Sequence, residues 1–162
     1  MGATPSARCH ISCAVLNRAR ESILSGNSAE KAVIAISDNL SNTAENRALD
    51  WLMGTSTTAP TLPLKVAIVT ANGTDSTAGT EATGGSYVRK NLTVAAAASG
   101  ATSNSADLVW TGMPAGTFVG VEVWDSAGSP VRLWYGALAA SRTLLAGDEL
   151  RITAGQLTFA LA

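Results

Sequence analysis

This chain of 162 residues contains few charged residues. Charged residues make up 14% of it, against about 25% in an ordinary globular domain. The formal net charge is −1, so the basic excess that attracts nucleic acid or an anionic membrane surface is missing. We therefore expect neither nucleic acid nor a membrane among its partners. The sequence also lacks a transmembrane-length apolar run and the apolar segment of a signal peptide.

Histidine and cysteine are nearly absent too. His10 is the only histidine, so a Ser-His-Asp or Cys-His arrangement would have to use it. Cys9 and Cys13 complete a Cys-His-x-x-Cys cluster, but a fourth ligand at zinc-site spacing is missing. Neither of the common nucleotide-binding motifs, GxGxxG and GxxxxGK[ST], occurs. These absences favour a protein that is not an enzyme and needs no cofactor or metal.

Two sets of residues are compatible with other functions, namely glycoside hydrolysis and sugar binding. A pair of acids could act on a glycosidic bond, since such partners need only be close in space. We interpret the candidates as solvated acids of turns and strands; they are Asp107, Glu122, Asp125, Asp148 and Glu149. Aromatic side chains could stack on a sugar, but core and interface positions are favoured. The aromatic set comprises Tyr87, Trp110, Trp124, Trp134 and Tyr135.

Short strands separated by turn signals dominate the chain from residue 62 onward. Val119, Val121 and Val123 alternate at the strand period and predict one buried face. Turn chemistry follows at 125–128, with an Asp that can bond its own backbone, and 131–135 completes a hairpin. Further strands are predicted within 64–70, 87–94, 107–111, 143–152 and 156–161. The pattern indicates a mainly β fold, an antiparallel β-sandwich or jelly-roll-like domain.

The N-terminal part of the sequence lacks the regular strand-and-turn pattern of the residues from 62 onward. We predict an arm over 1–38, a probable docking segment with one or two short helices, before a domain of helix and antiparallel sandwich over 39–162. Residues 11–24 allow a helix, and 32–36 favour a strand. The arm's apolar runs are too short to form a core alone. We therefore expect the arm to bind a neighbouring subunit through Ile11, Leu16, Ile23 and Leu24.

The clearest helix signal covers 42–54. Asn42 is the predicted N-cap, Glu45 completes a capping box, and Gly54 stands at the C-terminal end. The apolar side of this helix is interpreted as packing on the sheet, with an exposed stripe for a neighbouring subunit as the alternative. Its residues complete the set of candidate partner-binding residues: Leu49, Trp51, Leu52 and Met53.

Several blocks in collinear order, from about residue 40 to the end, resemble a family of small phage tail fibre-like proteins. A helix block at 45–54 and a strand block at 63–70 come first. The most recognisable part combines Gly79-Thr80-Glu81 with the 84–89 block that ends in Tyr87-Val88-Arg89. Matching closing blocks lie at 102–104, 124–138 and 146–157.

The resemblance implies a bacteriophage virion structural protein, a tail or tail-fibre component that acts by protein–protein contacts in a multi-copy assembly. Expected partners are other virion proteins and further copies of the chain, because virion parts form symmetric homo-oligomers. The expected location is the virion, at the phage tail or the capsid surface. Two alternatives remain: a capsid decoration (cement) protein, and a carbohydrate-binding module that reads a host surface glycan.

Overall fold

The computed structural model describes residues 34–37, 39–56 and 58–161. The helix predicted over 11–24 lies outside these residues, as do Ile11, Leu16, Ile23 and Leu24. In chain order the described elements are β1 (Ile34–Ser37), α1 (Asn42–Leu52), β2 (Lys65–Ala71), β3 (Thr80–Glu81), β4 (Lys90–Asn91), β5 (Ala101–Ser103), β6 (Leu108–Trp110), β7 (Gly116–Trp124), β8 (Arg132–Leu144), β9 (Leu150–Ile152) and β10 (Leu157–Ala160).

Three sheets make up this part of the chain. The largest has the order β3-β2-β7-β8, and β4 pairs with β2 beside β3. The others are β1-β10-β5 and the pair β6-β9. Among the strand pairings of the described residues, β1 with β10 is parallel and the rest are antiparallel. The predicted mainly β, antiparallel fold is confirmed, and β1 confirms the strand predicted at 32–36 for its described residues, 34–36.

The hydrophobic core draws on all three sheets. Val66 and Ile68 of β2 enter it together, as their two-residue spacing predicts. From β7 come Val121 and Val123, and the smaller sheets contribute Leu108, Trp110, Leu150, Ile152, Leu157 and Phe159. Full burial of one such side chain stabilises the fold by about 1.5–3 kcal/mol. The three sheets therefore share one hydrophobic core.

The hairpin of β7 and β8 corrects one detail of the prediction. Val119 does not share the buried face; Phe118 takes that place and is almost fully buried. The pairing of β7 with β8 shifts register between Phe118 and Gly120. Between these two pairings β7 advances two residues and β8 advances five, from Arg142 to Ala137, so the ladder is irregular here. The alternation of valines therefore fails at this point.

The strand predicted over 87–94 is mostly wrong, because only Lys90–Asn91 pairs with β2. Upstream, the Ser86 N–H donates to the Gly112 carbonyl at 2.8 Å, and the Tyr87 N–H donates to the Gly84 carbonyl at 3.2 Å. The bond from Tyr87 closes a turn, and the bond from Ser86 joins that turn to the distant Gly112. Alternation in the sequence could not reveal that these backbone groups had other partners.

Candidate functional site

Helix α1 starts where the chain leaves the edge of β8. The Ser41 N–H donates to the Leu133 carbonyl at 3.0 Å. The Ser41 hydroxyl donates to the Arg132 carbonyl and accepts from the Ala44 N–H at 3.2 Å. Ser41 is therefore the N-cap. The predicted cap at Asn42 and its capping box with Glu45 are wrong, because pairing with β8 places the helix boundary one residue earlier.

The N-terminal half of α1 is fixed to the domain. Ala44 is buried, and the Arg47 guanidinium lies 3.5 Å from the buried Asp125 carboxylate. Asp125 Oδ1 accepts the Val131 N–H at 2.7 Å and the Ala127 N–H at 3.4 Å. The predicted role of Asp125 in bonding its own turn is confirmed. The same carboxylate thus orders the hairpin turn and holds the helix.

The C-terminal end of α1 follows the sequence prediction. Met53 is the C-cap, and its N–H donates to the Leu49 carbonyl at 2.8 Å. Gly54 follows with φ +73°, a conformation that glycine adopts without strain. The helix therefore ends at a defined point, with its last turn intact.

The apolar side chains of this last turn are exposed. The exposed fractions are 58% for Leu49, 66% for Trp51, 68% for Leu52 and 74% for Met53. The interpretation that this side packs on the sheet is wrong, and the alternative of an exposed stripe describes the structure. Leu49, Leu52 and Met53 follow three- and four-residue spacing and so lie on one side of the helix. An exposed apolar cluster of this kind is typical of an interaction surface.

A groove runs beside the exposed stripe. Its volume is about 410 Å³, and it lies between α1, residues 58–60 and β8. Arg47 and Thr58 are its polar lining residues. The apolar lining comprises Leu40, Ala44, Ala48, Trp51, Ala59, Pro60, Leu133 and Trp134. Of the four exposed apolar residues, Trp51 lines this groove, and Leu49, Leu52 and Met53 lie outside its lining. An apolar protein segment is the ligand chemistry that such a surface fits.

Glu122, one of the predicted solvated acids, is buried instead. Its Oε1 atom lies 2.9 Å from Arg132 Nη1 and accepts the Gly79 N–H at 2.7 Å. Its Oε2 atom accepts the Trp124 indole N–H at 3.2 Å. Arg132 also donates to the Thr77 carbonyl at 2.7 Å and to the Thr74 carbonyl. This ion pair fastens the loop over 72–79 to the sheet.

Three of the other four predicted acids also have structural partners, and the fourth, Glu149, is exposed as predicted. Asp125 is buried, as described above, so the solvated interpretation is wrong for it too. Asp107 lies 2.9 Å from Arg151 on the surface, and Asp148 accepts the Leu145 N–H at 2.8 Å. Within the described residues no three His, Cys, Asp or Glu side chains could hold a metal ion together.

None of the five aromatics considered for sugar stacking is exposed: Trp110 is buried and the others are half-buried, which agrees with the favoured core and interface positions. Their polar atoms serve the fold. The Trp110 indole N–H donates to the Val88 carbonyl at 3.0 Å, and the Tyr135 hydroxyl bonds Asp75. That bond raises the pKa of Tyr135. Trp51, which sequence reasoning left out of this set, is the exposed tryptophan of the described residues.

The most recognisable sequence block forms a compact polar cluster. Arg89 Nη2 lies 2.7 Å from Glu81 Oε2, and its Nε atom donates to Glu81 Oε1 at 2.9 Å. The Arg89 guanidinium also lies over the Trp124 ring at 4.6 Å. Tyr87 donates to Glu81 and accepts the Ile68 N–H, and burial raises the pKa of its hydroxyl. These contacts therefore attach the loop that contains Tyr87 and Arg89 to β2. The spacing of the sequence block alone did not indicate this role.

Comparison with known proteins identifies the family. The chain matches the family model described as Podophage GP4 fiber I protein gp80 over residues 39–160, and it belongs to this family. The curated proteins contain no match. The resemblance to phage tail fibre-like proteins is thereby confirmed, and membership of a fibre family makes the chain a virion component. No helix among the described residues is long and apolar enough to cross a membrane.

Proposed function

We propose that this chain is a structural component of the phage tail or its fibres, which acts through protein–protein contacts in a multi-copy assembly and carries out no catalysis. The family supports the fibre role. The fold supports contact over chemistry, because Glu122 and Asp125, the buried acids, are both committed to internal partners. The partners are neighbouring virion proteins or further copies of this chain.

The observation that carries the proposal is the exposed apolar stripe of α1. Four large side chains of one short helix stay more than half exposed, although the domain has a complete core elsewhere. Burial of such a side chain by a partner gains up to about 1.5–3 kcal/mol. Arg47 and Ser41 already hold α1 in place, so little conformational freedom is lost when a partner binds.

A capsid decoration protein would use the same kind of surface, but the fibre family favours the tail. Cryo-electron microscopy of intact particles tests this directly. We expect density for the chain at the tail or its fibres, in three- or six-fold copies. Density repeated over the icosahedral shell would contradict the proposal and establish the decoration role.

The contact surface is tested with full-length variants in the same particles. Leu49→Lys combined with Leu52→Lys places two charges in the stripe, and we expect a folded chain that is lost from particles. Leu145→Lys is the matched control, because Leu145 is 72% exposed and lies outside α1. Equal incorporation of both variants would exclude the stripe as the contact surface.

A further inference from the structure

A cavity of about 400 Å³ lies between the first residues of α1, the loop over 72–79 and the turn that joins β7 to β8. We propose that this cavity binds a neutral saccharide, a function that goes beyond the protein–protein contacts proposed above and does not depend on them. We call it the Trp124 cavity. Its lining includes Asn42, Thr43, Asp75, Ser76, Trp124 and Arg132.

The walls of the Trp124 cavity are held by internal hydrogen bonds. Arg132 donates to three carbonyls of the loop, among them that of Asp75 at 3.0 Å. The Asn42 N–H donates to the same Asp75 carbonyl at 3.3 Å, which joins the start of α1 to the loop. Because the walls are already fixed, little conformational freedom is lost when a ligand binds between them.

The polar side chains that line the cavity take almost no part in holding these walls. Among the residues that the structure describes, the side chains of Asn42, Thr43 and Ser76 have no hydrogen-bond partner. Asp75 accepts from the Tyr135 hydroxyl through Oδ1, and its Oδ2 atom has no partner in the same part of the chain. The cavity therefore offers an amide, two hydroxyls and a carboxylate oxygen for bonds to a ligand.

Trp124 gives the cavity an aromatic wall of fixed orientation. Its indole N–H donates to Glu122 Oε2 at 3.2 Å, and the Arg89 guanidinium lies 4.6 Å from the centre of its ring. The ring is half-buried, and the part left open lines the cavity. The C–H groups of a sugar ring pack on such an aromatic surface, while nearby amides and hydroxyls bond the sugar hydroxyls. A saccharide is thus the ligand class that uses both kinds of group.

Charge selects a neutral saccharide. Arg132 is the one basic residue among the described residues that line the cavity, and it lies 2.9 Å from its partner Glu122. Its charge is therefore already balanced, whereas the exposed Asp75 carboxylate repels an anionic ligand. We expect the sialylated form of an oligosaccharide to bind more weakly than its neutral form.

Binding by the full chain to a printed array of neutral oligosaccharides of glucose, galactose, mannose and N-acetylglucosamine tests the inference. An oligosaccharide that binds is then titrated while the indole N–H signals are followed by NMR, and Trp124→Phe assigns the Trp124 signal by its loss. We expect saturable binding that shifts this signal and leaves that of Trp51, in the groove beside α1, unchanged. No binding to any neutral oligosaccharide, or a shift of the Trp51 signal without that of Trp124, would overturn the inference.

A pair of double variants tests the polar contacts. Asn42→Ala with Ser76→Ala removes two side chains that form no internal bonds, so we expect binding at least ten-fold weaker and an unchanged free energy of unfolding. Asn46→Ala with Ser105→Ala is the matched control, because both residues are exposed and lie outside the cavity lining. Equal affinities of the two double variants for the oligosaccharide would also overturn the inference.

Discussion

The loop over 72–79 and helix α1 both contact strand β8, and they differ in how far their backbone and side-chain groups are satisfied within the chain. In the loop, the Thr74, Asp75 and Thr77 carbonyls accept hydrogen bonds from Arg132, and Glu122 accepts the Gly79 N–H. In the helix, large apolar side chains remain in contact with water. These backbone groups of the first region are satisfied within one chain, and the second is the contact surface that we propose for a partner.

The contrast separates side chains that the fold uses internally from side chains that it leaves exposed. A buried ion pair adds little net stability over an apolar pair, but removal of one partner is costly. The Glu122–Arg132 pair thus enforces one position of the loop. The exposed apolar stripe of α1 differs, because its removal should leave the folded chain almost unchanged and we expect it to weaken the proposed partner contact. Each prediction below tests one side of this contrast, in order of decreasing effect on stability.

The largest effect is expected from Glu122→Ala. This change leaves the Arg132 guanidinium buried without its anion, and we expect the free energy of unfolding to fall by about 3–5 kcal/mol. Urea denaturation measures it. The surface pair of Asp107 and Arg151 supplies the control, since Arg151→Ala should cost no more than about 1 kcal/mol. Similar losses for both variants would mean that burial does not distinguish the two pairs.

Gly120→Ala tests the close approach of the loop to β7. A Cβ atom at this position would stand 2.0 Å from Asn72 Oδ1 and 2.6 Å from the Gly136 carbonyl oxygen. The side chain of Asn72 can move away, but the backbone of β8 cannot. We expect a loss of about 1–3 kcal/mol. Gly128→Ala, where nothing lies within 4 Å, should keep the stability of the native chain.

These positions show what the sequence could predict of the fold. The two-residue spacing of Val66 and Ile68 predicted β2, because strand alternation is a local property of the sequence. The bulge at Phe118 and the parallel pairing of β1 with β10 depend on which distant backbone lies alongside, and no local pattern records that. Glu122 was misread for the same reason, since Arg132, its partner, belongs to the next strand.

The candidate site was predictable in composition but not in environment. The pattern of Leu49, Leu52 and Met53 identified an apolar side of α1, and an amphipathic pattern does not say whether a sheet or another chain covers that side. The cap was misassigned because Ser41 and Asn42 are both good capping residues. Only the bond from Ser41 to Leu133 of β8 decides between them.

Alkaline pH is expected to destabilise the polar cluster around Tyr87. Burial raises the pKa of Tyr87, and Glu81 adds to this effect. The folded chain therefore keeps a proton that the unfolded chain releases above pH 10, so the stability from Tyr87 is complete below pH 10 and declines above it. Between pH 10 and 11.5 the native chain should lose up to about 1.4 kcal/mol per pH unit more than Tyr87→Phe. Tyr135→Phe, which removes the more exposed tyrosine, should alter this slope less.

Ser41→Ala tests the link between the helix and the sheet. It removes the bonds to the Ala44 N–H and the Arg132 carbonyl, and we expect a loss of about 1 kcal/mol. Asn42→Ala, at the residue that the sequence favoured as the cap, should have almost no effect. Hydrogen exchange should show faster opening of α1 in the Ser41 variant alone. Equal losses of stability in the Ser41→Ala and Asn42→Ala variants would contradict the assignment of Ser41 as the N-cap.

The smallest effect on the isolated chain is expected from Leu52→Ala. Leu52 is 68% exposed, so its truncation should change the free energy of unfolding by no more than about 0.5 kcal/mol in dilute solution. Leu157→Ala, the same change at a fully buried position, should cost about 2–5 kcal/mol. If α1 binds a second copy, the cost of Leu52→Ala must grow with protein concentration, because association stabilises only the chain that can associate. The cost of Leu157→Ala is set inside one chain and is present already at the lowest concentration. Thermal unfolding of both variants over a series of protein concentrations therefore separates the two regions. A large loss of stability from Leu52→Ala in dilute solution would show instead that this residue contributes to the core.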